Sequence, residues 1–203
     1  MAYQHEPVLV EETLRLLEGC RRVLDCTAGG GGHAGRLVEW GAEVLALDKD
    51  PAAVAACRTH LAPFGERARV LKLDFVEAAS HPEVASFRPD GVLLDLGVSS
   101  PQLDDDARGF SFRPGARLDM RMEGPGGAEG TAAWWLNHAV EPELADAFFR
   151  YADERRSRRL AREIVRRRAN APFAVSDDLV GAIRAVLGPR SGPADFARLF
   201  QAV

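Results

Sequence analysis

Arg22-Val23-Leu24-Asp25-Cys26-Thr27-Ala28-Gly29-Gly30-Gly31-Gly32-His33-Ala34 is the stretch whose reading decides the architecture. Val23 and Leu24 make a short apolar run that ends at Asp25. Four successive glycines follow, then a segment of helical character that runs to Trp40 and stops at Gly41. Strand, glycine-rich turn and helix start together press bare backbone against a ligand and aim helix N–H groups at it. The run does not fit G-x-x-x-x-G-K-[ST], because no Lys and no Ser or Thr follows Gly32. Glycines alone would also suit a flexible turn, so the next strand matters. Glu43 to Asp48 reads as that strand and ends in a carboxylate 17 residues after Gly31. An acid there accepts hydrogen bonds from the vicinal hydroxyls of a ribose. Asp48 could instead cap a helix, but Asp50-Pro51 supplies that cap better.

Working outward, Glu11 to Leu17 reads as a helix stopped by Gly19, and Pro51 to Leu61 as another. Arg69 to Leu73 is a third strand ending at Asp74-Phe75, with a helix through about Phe87. Asp90 to Asp95 is the fourth and most apolar strand. Strands alternating with helices imply an α/β fold: a parallel sheet covered on both faces, with ligand at the carboxyl ends. The binding edge is then Asp25 with its glycines, Asp48, Asp74-Phe75 and Asp95. Leu96 to Gly127 is too long for a simple connection and reads as functional. Only helix follows: Thr131 to Ala139, an apolar stripe from Pro142 to Ala169, a helix capped at Ser176-Asp177-Asp178, and Ala194 to Gln201. The expected division is an α/β domain over residues 1–107 and an all-helical domain over 108–203.

The 203 residues allow one large domain or two small ones. The N-terminus lacks a basic start followed by an apolar run, and no apolar stretch approaches the ~20 residues of a membrane span. Cys20, Cys26 and Cys57 are odd in number without C-x-x-C spacing, and the five histidines are scattered. Neither a disulfide framework nor a metal site is indicated, and a reducing cytoplasm is the expected compartment. Net charge is −4, yet only Lys49 and Lys72 are lysines, so 24 of the 26 basic residues are arginine. Nine of these lie between Arg150 and Arg168. Such a run is either a solvated face with internal ion pairs or a set of phosphate contacts.

Asp25-x-x-x-Gly29-x-Gly31 fits the first motif of S-adenosylmethionine-dependent methyltransferases. A more specific likeness begins at Leu94-Asp95-Leu96-Gly97-Val98-Ser99-Ser100-Pro101-Gln102-Leu103-Asp104. With Arg108-Gly109-Phe110-Ser111-Phe112 and Leu118-Asp119-Met120-Arg121-Met122, this run resembles the RsmH/MraW family of ribosomal RNA small subunit methyltransferases. His5-x-Pro7-Val8-Leu9, Gly31-Gly32-His33, Asp48-x-Asp50-Pro51, Tyr151-x-x-Glu154, Ile164-Val165 and Phe200-Gln201-Ala202 extend it along the chain. The resemblance implies a Rossmann-like class I methyltransferase sheet with a helical domain inserted into it. It implies methyl transfer from S-adenosylmethionine to N4 of a cytidine in the decoding region of bacterial 16S ribosomal RNA, leaving S-adenosylhomocysteine. Carried over by position, the cofactor contacts fall on Gly31, Gly32, His33, Asp48, Phe75, Asp95 and Gln102. The family pattern His-Pro-Ala-Thr-Arg before Phe-Gln-Ala is reduced here to Arg198. Family members also continue past the position of Val203 with strands that complete the sheet, so this chain reads as a fragment or a short form with an incomplete sheet.

Transfer to an exocyclic amine needs in-line alignment and a group that takes the amine's proton. Amino methyltransferases often carry Asp/Asn-Pro-Pro-aromatic after the fourth strand, and this chain has Asp95-Leu-Gly-Val-Ser-Ser-Pro there instead. The Asp95–Asp104 loop is expected to take that place, with Asp95, Ser99 and Asp104 as candidate catalytic groups. Phe110 or Phe112 either stacks on the extruded base or belongs to the core under the loop. Arg108, Arg113 and Arg121, with Arg155, Arg158 and Arg159, are expected to hold RNA phosphates. Two other readings share parts of the pattern: a non-catalytic cofactor- and RNA-binding protein or assembly factor, and a nicotinamide-dependent oxidoreductase. The second lacks a fuller second mononucleotide half.

Overall fold

The structure, a computed structural model, describes residues 7–124 and 126–203, so His5 of the family-like block lies outside the described residues. The chain forms two compact units. The first takes it through Pro101 and again over Met122–Gly124, and the second takes Gln102–Arg121 and the chain beyond Gly124. The division thus falls after Pro101 rather than after residue 107, with a short return into the first unit.

In the first unit β1 (Arg22–Asp25), β2 (Glu43–Asp48), β3 (Ala68–Lys72) and β4 (Gly91–Leu93) form one parallel sheet in the order β3-β2-β1-β4. Successive side chains of a strand point to opposite faces, and the core divides accordingly. Val23, Val44 and Ala46 pack with Leu37, Val38 and Leu61 on one face. Leu24, Leu45 and Leu47 pack with Val84 and Phe87 on the other. Leu45 and Leu47 are fully buried in the centre of the sheet, and each contributes about 1.5–3 kcal/mol by leaving water. The first face is covered by α1 (Val10–Leu16), α2 (Gly32–Glu39) and α3 (Pro51–Leu61). Asp50 caps α3 by accepting from the Ala52 N–H at 2.9 Å. The single helix expected from Asp74 to Phe87 is instead a 3₁₀ turn, Phe75–Ser80, and a separate α4, Pro82–Phe87. Pro82 is the cause: it disfavours helical backbone in the residue before it, and His81 is extended.

A short α5 (Ser100–Asp104) crosses the division. The second unit is built from α6 (Ala132–His138), α7 (Glu141–Ala152), α8 (Ser157–Arg168), α9 (Ser176–Leu187) and α10 (Pro193–Phe200). Leu136, Leu144, Phe148, Leu160, Ile164 and Ile183 are fully buried at its centre. The one apolar stripe from Pro142 to Ala169 is therefore two helices. Asp153 takes a left-handed conformation (φ 48°) and turns the chain so that α8 packs back on α7. At α9 the capping carboxylate is Asp178, which accepts from the N–H groups of Ala174 and Val175, while the Ser176 hydroxyl donates to the Arg113 carbonyl.

The blocks Arg108–Phe112 and Leu118–Met122 lie against each other along the backbone. Met120 donates to the Arg108 carbonyl at 2.9 Å. A Cβ on Gly109 would stand 2.1 Å from the Arg117 carbonyl oxygen, and its φ of 77° is left-handed, so this crossing requires glycine.

Candidate cofactor site and arginine face

The carboxyl ends of β1, β2 and β4 are tied together by the segments that leave them. Beyond β1, Cys26 donates to the Leu93 carbonyl and Ala28 to the Leu47 carbonyl, each at 2.9 Å. Thr27 Oγ1 accepts from the Asp95 N–H at 2.8 Å. The Gly29 N–H donates to Asp48 Oδ2 and the Asp50 N–H to Asp48 Oδ1, both at 2.9 Å. The glycine turn and the carboxylate at the tip of β2 are thus one hydrogen-bonded unit. Each oxygen keeps capacity for a further donor. Gly31 opens α2 with φ 86°, and a Cβ there would press on Cys57 Sγ at 3.1 Å. Burial, with Asp25 and Asp48 nearby, pushes the Cys57 thiol up to about 12, which leaves it an inert filler beneath the turn.

Asp25 is the residue that sequence reasoning placed at the edge without giving it a contact. It is 1% exposed, and its Oδ1 accepts the Thr27 N–H at 3.1 Å. Its Oδ2 is buried with no hydrogen-bond partner among the described residues. Burial pushes its carboxyl up to about 6, the carboxylates of Asp48 and Asp95 push the same way, and the Thr27 N–H and His33 oppose them. Burial likewise raises Asp48. An unpaired buried acceptor costs about 1–3 kcal/mol, and the fold itself gives it no use. Such a group at a strand tip makes this end of the sheet the candidate site. The only signal in the sequence was its place at the head of the glycine motif.

His33 approaches the Val8 carbonyl with Nε2 at 2.8 Å, so that nitrogen donates and the ring fastens α2 to the start of α1. Phe75 directly follows the Asp74 cap, which accepts the Val76 N–H and pairs with Lys49 at 3.4 Å. Its ring is 38% exposed. Asp95 is exposed and Ser99 half-buried within the first unit. Gln102, buried, and Asp104, exposed, belong to the second. A carboxylate with spare acceptor capacity beside a glycine turn, an exposed aromatic and an orphan buried acceptor fit an adenosyl cofactor. Among the described residues no group of three or more His, Cys, Asp or Glu could hold a metal. No helix of the described residues is long and apolar enough to cross a membrane.

In the second unit the arginines and aromatics separate by what they touch. Arg121 is a brace: Nε and Nη2 grip both oxygens of Asp119 at 2.8 and 2.7 Å, and Nη1 donates to the Gly127 carbonyl. With its side chain 10% exposed, it is not placed to hold a phosphate, which corrects its assignment from sequence. Phe112, half-buried, lies edge-on to Phe196 and Phe200 against the helical core. Phe110, half-buried, lies under the Arg108 guanidinium at 5.9 Å. Arg113 is exposed between Asp104 and Asp106. Of the nine arginines at 150–168, Arg166 and Arg167 bind Glu163, Arg168 donates to the Leu136 and Ala139 carbonyls, and Arg156 to those of Val186 and Leu187. Arg155, Arg158 and Arg159 are exposed, and among the described residues their guanidinium groups have no ion pair or hydrogen bond.

A parallel sheet in the order 3-2-1-4, with a glycine turn after its first strand and an acid at the tip of the second, is the Rossmann-like fold of class I methyltransferases. The chain belongs to the MraW methylase family, whose model it matches over residues 2–203. It is 52% identical over 203 residues to the ribosomal RNA small subunit methyltransferase H of Gemmatimonas aurantiaca, covering 98% of this chain and 63% of that protein. With the protein of the same name from Gloeobacter violaceus it shares 43% identity over 98% of this chain and 62% of that one. The chain therefore spans a little under two thirds of the length of these relatives. A solved structure of a putative RNA methyltransferase from Pyrococcus horikoshii aligns over 47% of this chain and 50% of that one, with a TM-score of 0.38 and 23% identity.

Proposed function

We propose that this chain carries the cofactor-binding and RNA-recognising parts of an S-adenosylmethionine-dependent methyltransferase. Its substrate is N4 of a cytidine in the decoding region of 16S ribosomal RNA, within the small ribosomal subunit in the cytoplasm. The observation that carries this reading is the bond between the Gly29 N–H and Asp48, which presents a carboxylate at the tip of β2 beside a helix N-terminus. Family membership and the names of the relatives support the class of substrate.

When bound, S-adenosylmethionine supplies a methyl group on an electrophilic sulfonium and departs as S-adenosylhomocysteine. The protein's task is to align that methyl with the amine. Asp48 would accept from the ribose hydroxyls and Phe75 would offer its ring to the adenine. Gly31, Gly32, His33, Asp95 and Gln102 complete the contacts that the family resemblance implies. Three carboxylates at the strand tips, Asp25, Asp48 and Asp95, favour a cationic ligand over a neutral one. The cytosine amine is a poor nucleophile until an acceptor localises its lone pair and takes its proton. Asp95, Ser99 and Asp104 are the proposed groups for that role.

The test is transfer of tritiated methyl groups to small ribosomal subunits from cells lacking the modification, with the Gemmatimonas relative as positive control. Incorporation into cytidine that disappears in Asp48→Ala supports the reading. Tight binding of S-adenosylhomocysteine without incorporation would favour a non-catalytic cofactor- and RNA-binding protein.

A further inference from the structure

The corner between α7 and α8 is built unlike an ordinary helix connection. Asp153 turns the chain in a left-handed conformation, and Glu154 enters the interior at 6% exposure. Glu154 Oε1 accepts the Arg156 N–H, and its Oε2 accepts from Arg198 of α10, both at 2.8 Å. Arg198 also donates to the Ala152 carbonyl, and Arg156 reaches the carbonyls that end α9. The corner is therefore pinned to α10 through the buried Glu154 carboxylate and to α9 by hydrogen bonds from Arg156, and ordering it on binding costs little.

What this pinned corner displays is one aromatic ring and three guanidinium groups. Tyr151 is 73% exposed on the last turn of α7 and has no stacking partner among the described residues. Arg155, Arg158 and Arg159 follow on the other side of the turn, all exposed and all without an ion pair among the described residues. The opposing charges at the corner are few. Glu154 is consumed by Arg198, Arg150 pairs with Asp146 at 3.7 Å, and Asp153 is exposed. Arginines that the fold needs, such as Arg166 and Arg167, carry their own carboxylate in Glu163. The three at the corner have none among the described residues.

We propose that this corner is a docking surface for single-stranded RNA, with Tyr151 as a stacking platform for one unpaired base and Arg155, Arg158 and Arg159 as backbone contacts. The proposal rests on the RNA-methyltransferase reading above and adds to it the binding mode and the aromatic residue. An exposed aromatic flanked by uncompensated arginines is the pairing that single-stranded nucleic acids select, since every unpaired base has a face to stack. A duplex offers no free base face to Tyr151, and an acidic protein surface would engage the guanidiniums while leaving the ring unused.

The experiment measures binding of the whole chain to a labelled twelve-nucleotide single-stranded RNA by fluorescence anisotropy, against a duplex of the same sequence and polyglutamate. Tyr151→Ala is expected to weaken single-strand binding about tenfold with an unchanged salt slope, and Tyr151→Phe to restore it. Replacing Arg155, Arg158 and Arg159 together by alanine is expected to lower the salt slope by about 2 to 3. Affinity for S-adenosylhomocysteine, measured by calorimetry on each variant, should not move. Single-strand binding that survives both sets of substitutions would overturn the proposal, as would Tyr151→Phe failing to rescue. Polyglutamate or duplex binding as tight as single-strand binding would overturn it too. Failure of the methyltransferase reading shows separately, as loss of cofactor binding in the unaltered chain while the RNA measurements stand.

Discussion

Glu154 and Arg198 lie 44 residues apart in sequence and meet at 2.8 Å, with the Glu154 side chain 7% exposed. They join Tyr151-x-x-Glu154 to the one residue kept from the altered block before Phe200, so two short motifs are the halves of one ion pair whose carboxylate is buried and whose guanidinium is a third exposed. Arg198→Met leaves the carboxylate interred without its partner, which costs about 3 kcal/mol. For a chain of this size that lowers the unfolding midpoint by roughly 6–12 °C. Adding Glu154→Gln should recover part of the loss, because the charge that was stranded is gone. Thermal unfolding of the two variants measures both steps, and a single-variant loss near zero would show that the pair contributes nothing.

Gly109 makes a second structural prediction. Gly109→Ala places a methyl against the Arg117 carbonyl in a left-handed backbone, and should cost about 3 kcal/mol or more in denaturant unfolding. Gly115 shares the positive φ but has open space around it, so Gly115→Ala should cost only about 1 kcal/mol. Equal losses at the two positions would mean that conformation alone, not the crossing, demands glycine.

Asp25 gives stability a pH dependence of definite sign. The folded protein keeps this carboxyl protonated up to about pH 6, whereas an unfolded aspartate releases its proton near 3.8. Between those values the native state binds the extra proton, so this contribution is complete below about pH 3.8 and lost as pH rises through 6. Asp25→Asn should therefore leave stability unchanged near pH 4 and raise it by about 2–3 kcal/mol at pH 8. Urea unfolding at pH 4, 6 and 8 tests this, and a gain that does not grow with pH contradicts it. Weaker binding of S-adenosylhomocysteine in the stabilised variant would show what the buried acceptor is kept for.

Asp48 should divide structure from binding. Asp48→Asn keeps an oxygen for one backbone N–H, so the fold survives, but it presents an amide to the ligand in place of a second acceptor. Calorimetry with S-adenosylhomocysteine should show affinity reduced tenfold to a hundredfold. Retained affinity would remove Asp48 from the ribose.

For the proton acceptor, Asp104→Ala is expected to abolish methyl transfer while cofactor affinity stays intact. Turnover unchanged in that variant takes Asp104 out of the chemistry and leaves Asp95 and Ser99.

Local pattern carried the first unit far. The glycine run, the acid at the end of Glu43–Asp48 and the Asp50-Pro51 cap each act within a few residues, so their backbone consequences were legible one by one. The run around Asp95–Asp104 carried the family by its specificity alone. Other features escaped, such as the break at Asp153 and the extended His81 before Pro82. The break at Asp153 depends on how α8 packs back on α7, whereas the bend at His81 is a local effect of Pro82 that the apolar pattern alone does not reveal.

The sequence by itself determined the alternation of strands and helices, the glycine turn and the arginine supply, because periodicity and backbone preference are local properties of the chain. Only the tertiary structure decided what each polar group is for. Arg121 became a brace while Arg155 has no ion pair among the described residues, Phe112 packs against the helical core while Tyr151 stayed in water, and Asp25 was left with an oxygen that nothing in the described fold satisfies. Burial and pairing are set by partners tens of residues away, and the free energy of a charge turns on those partners far more than on its neighbours in sequence.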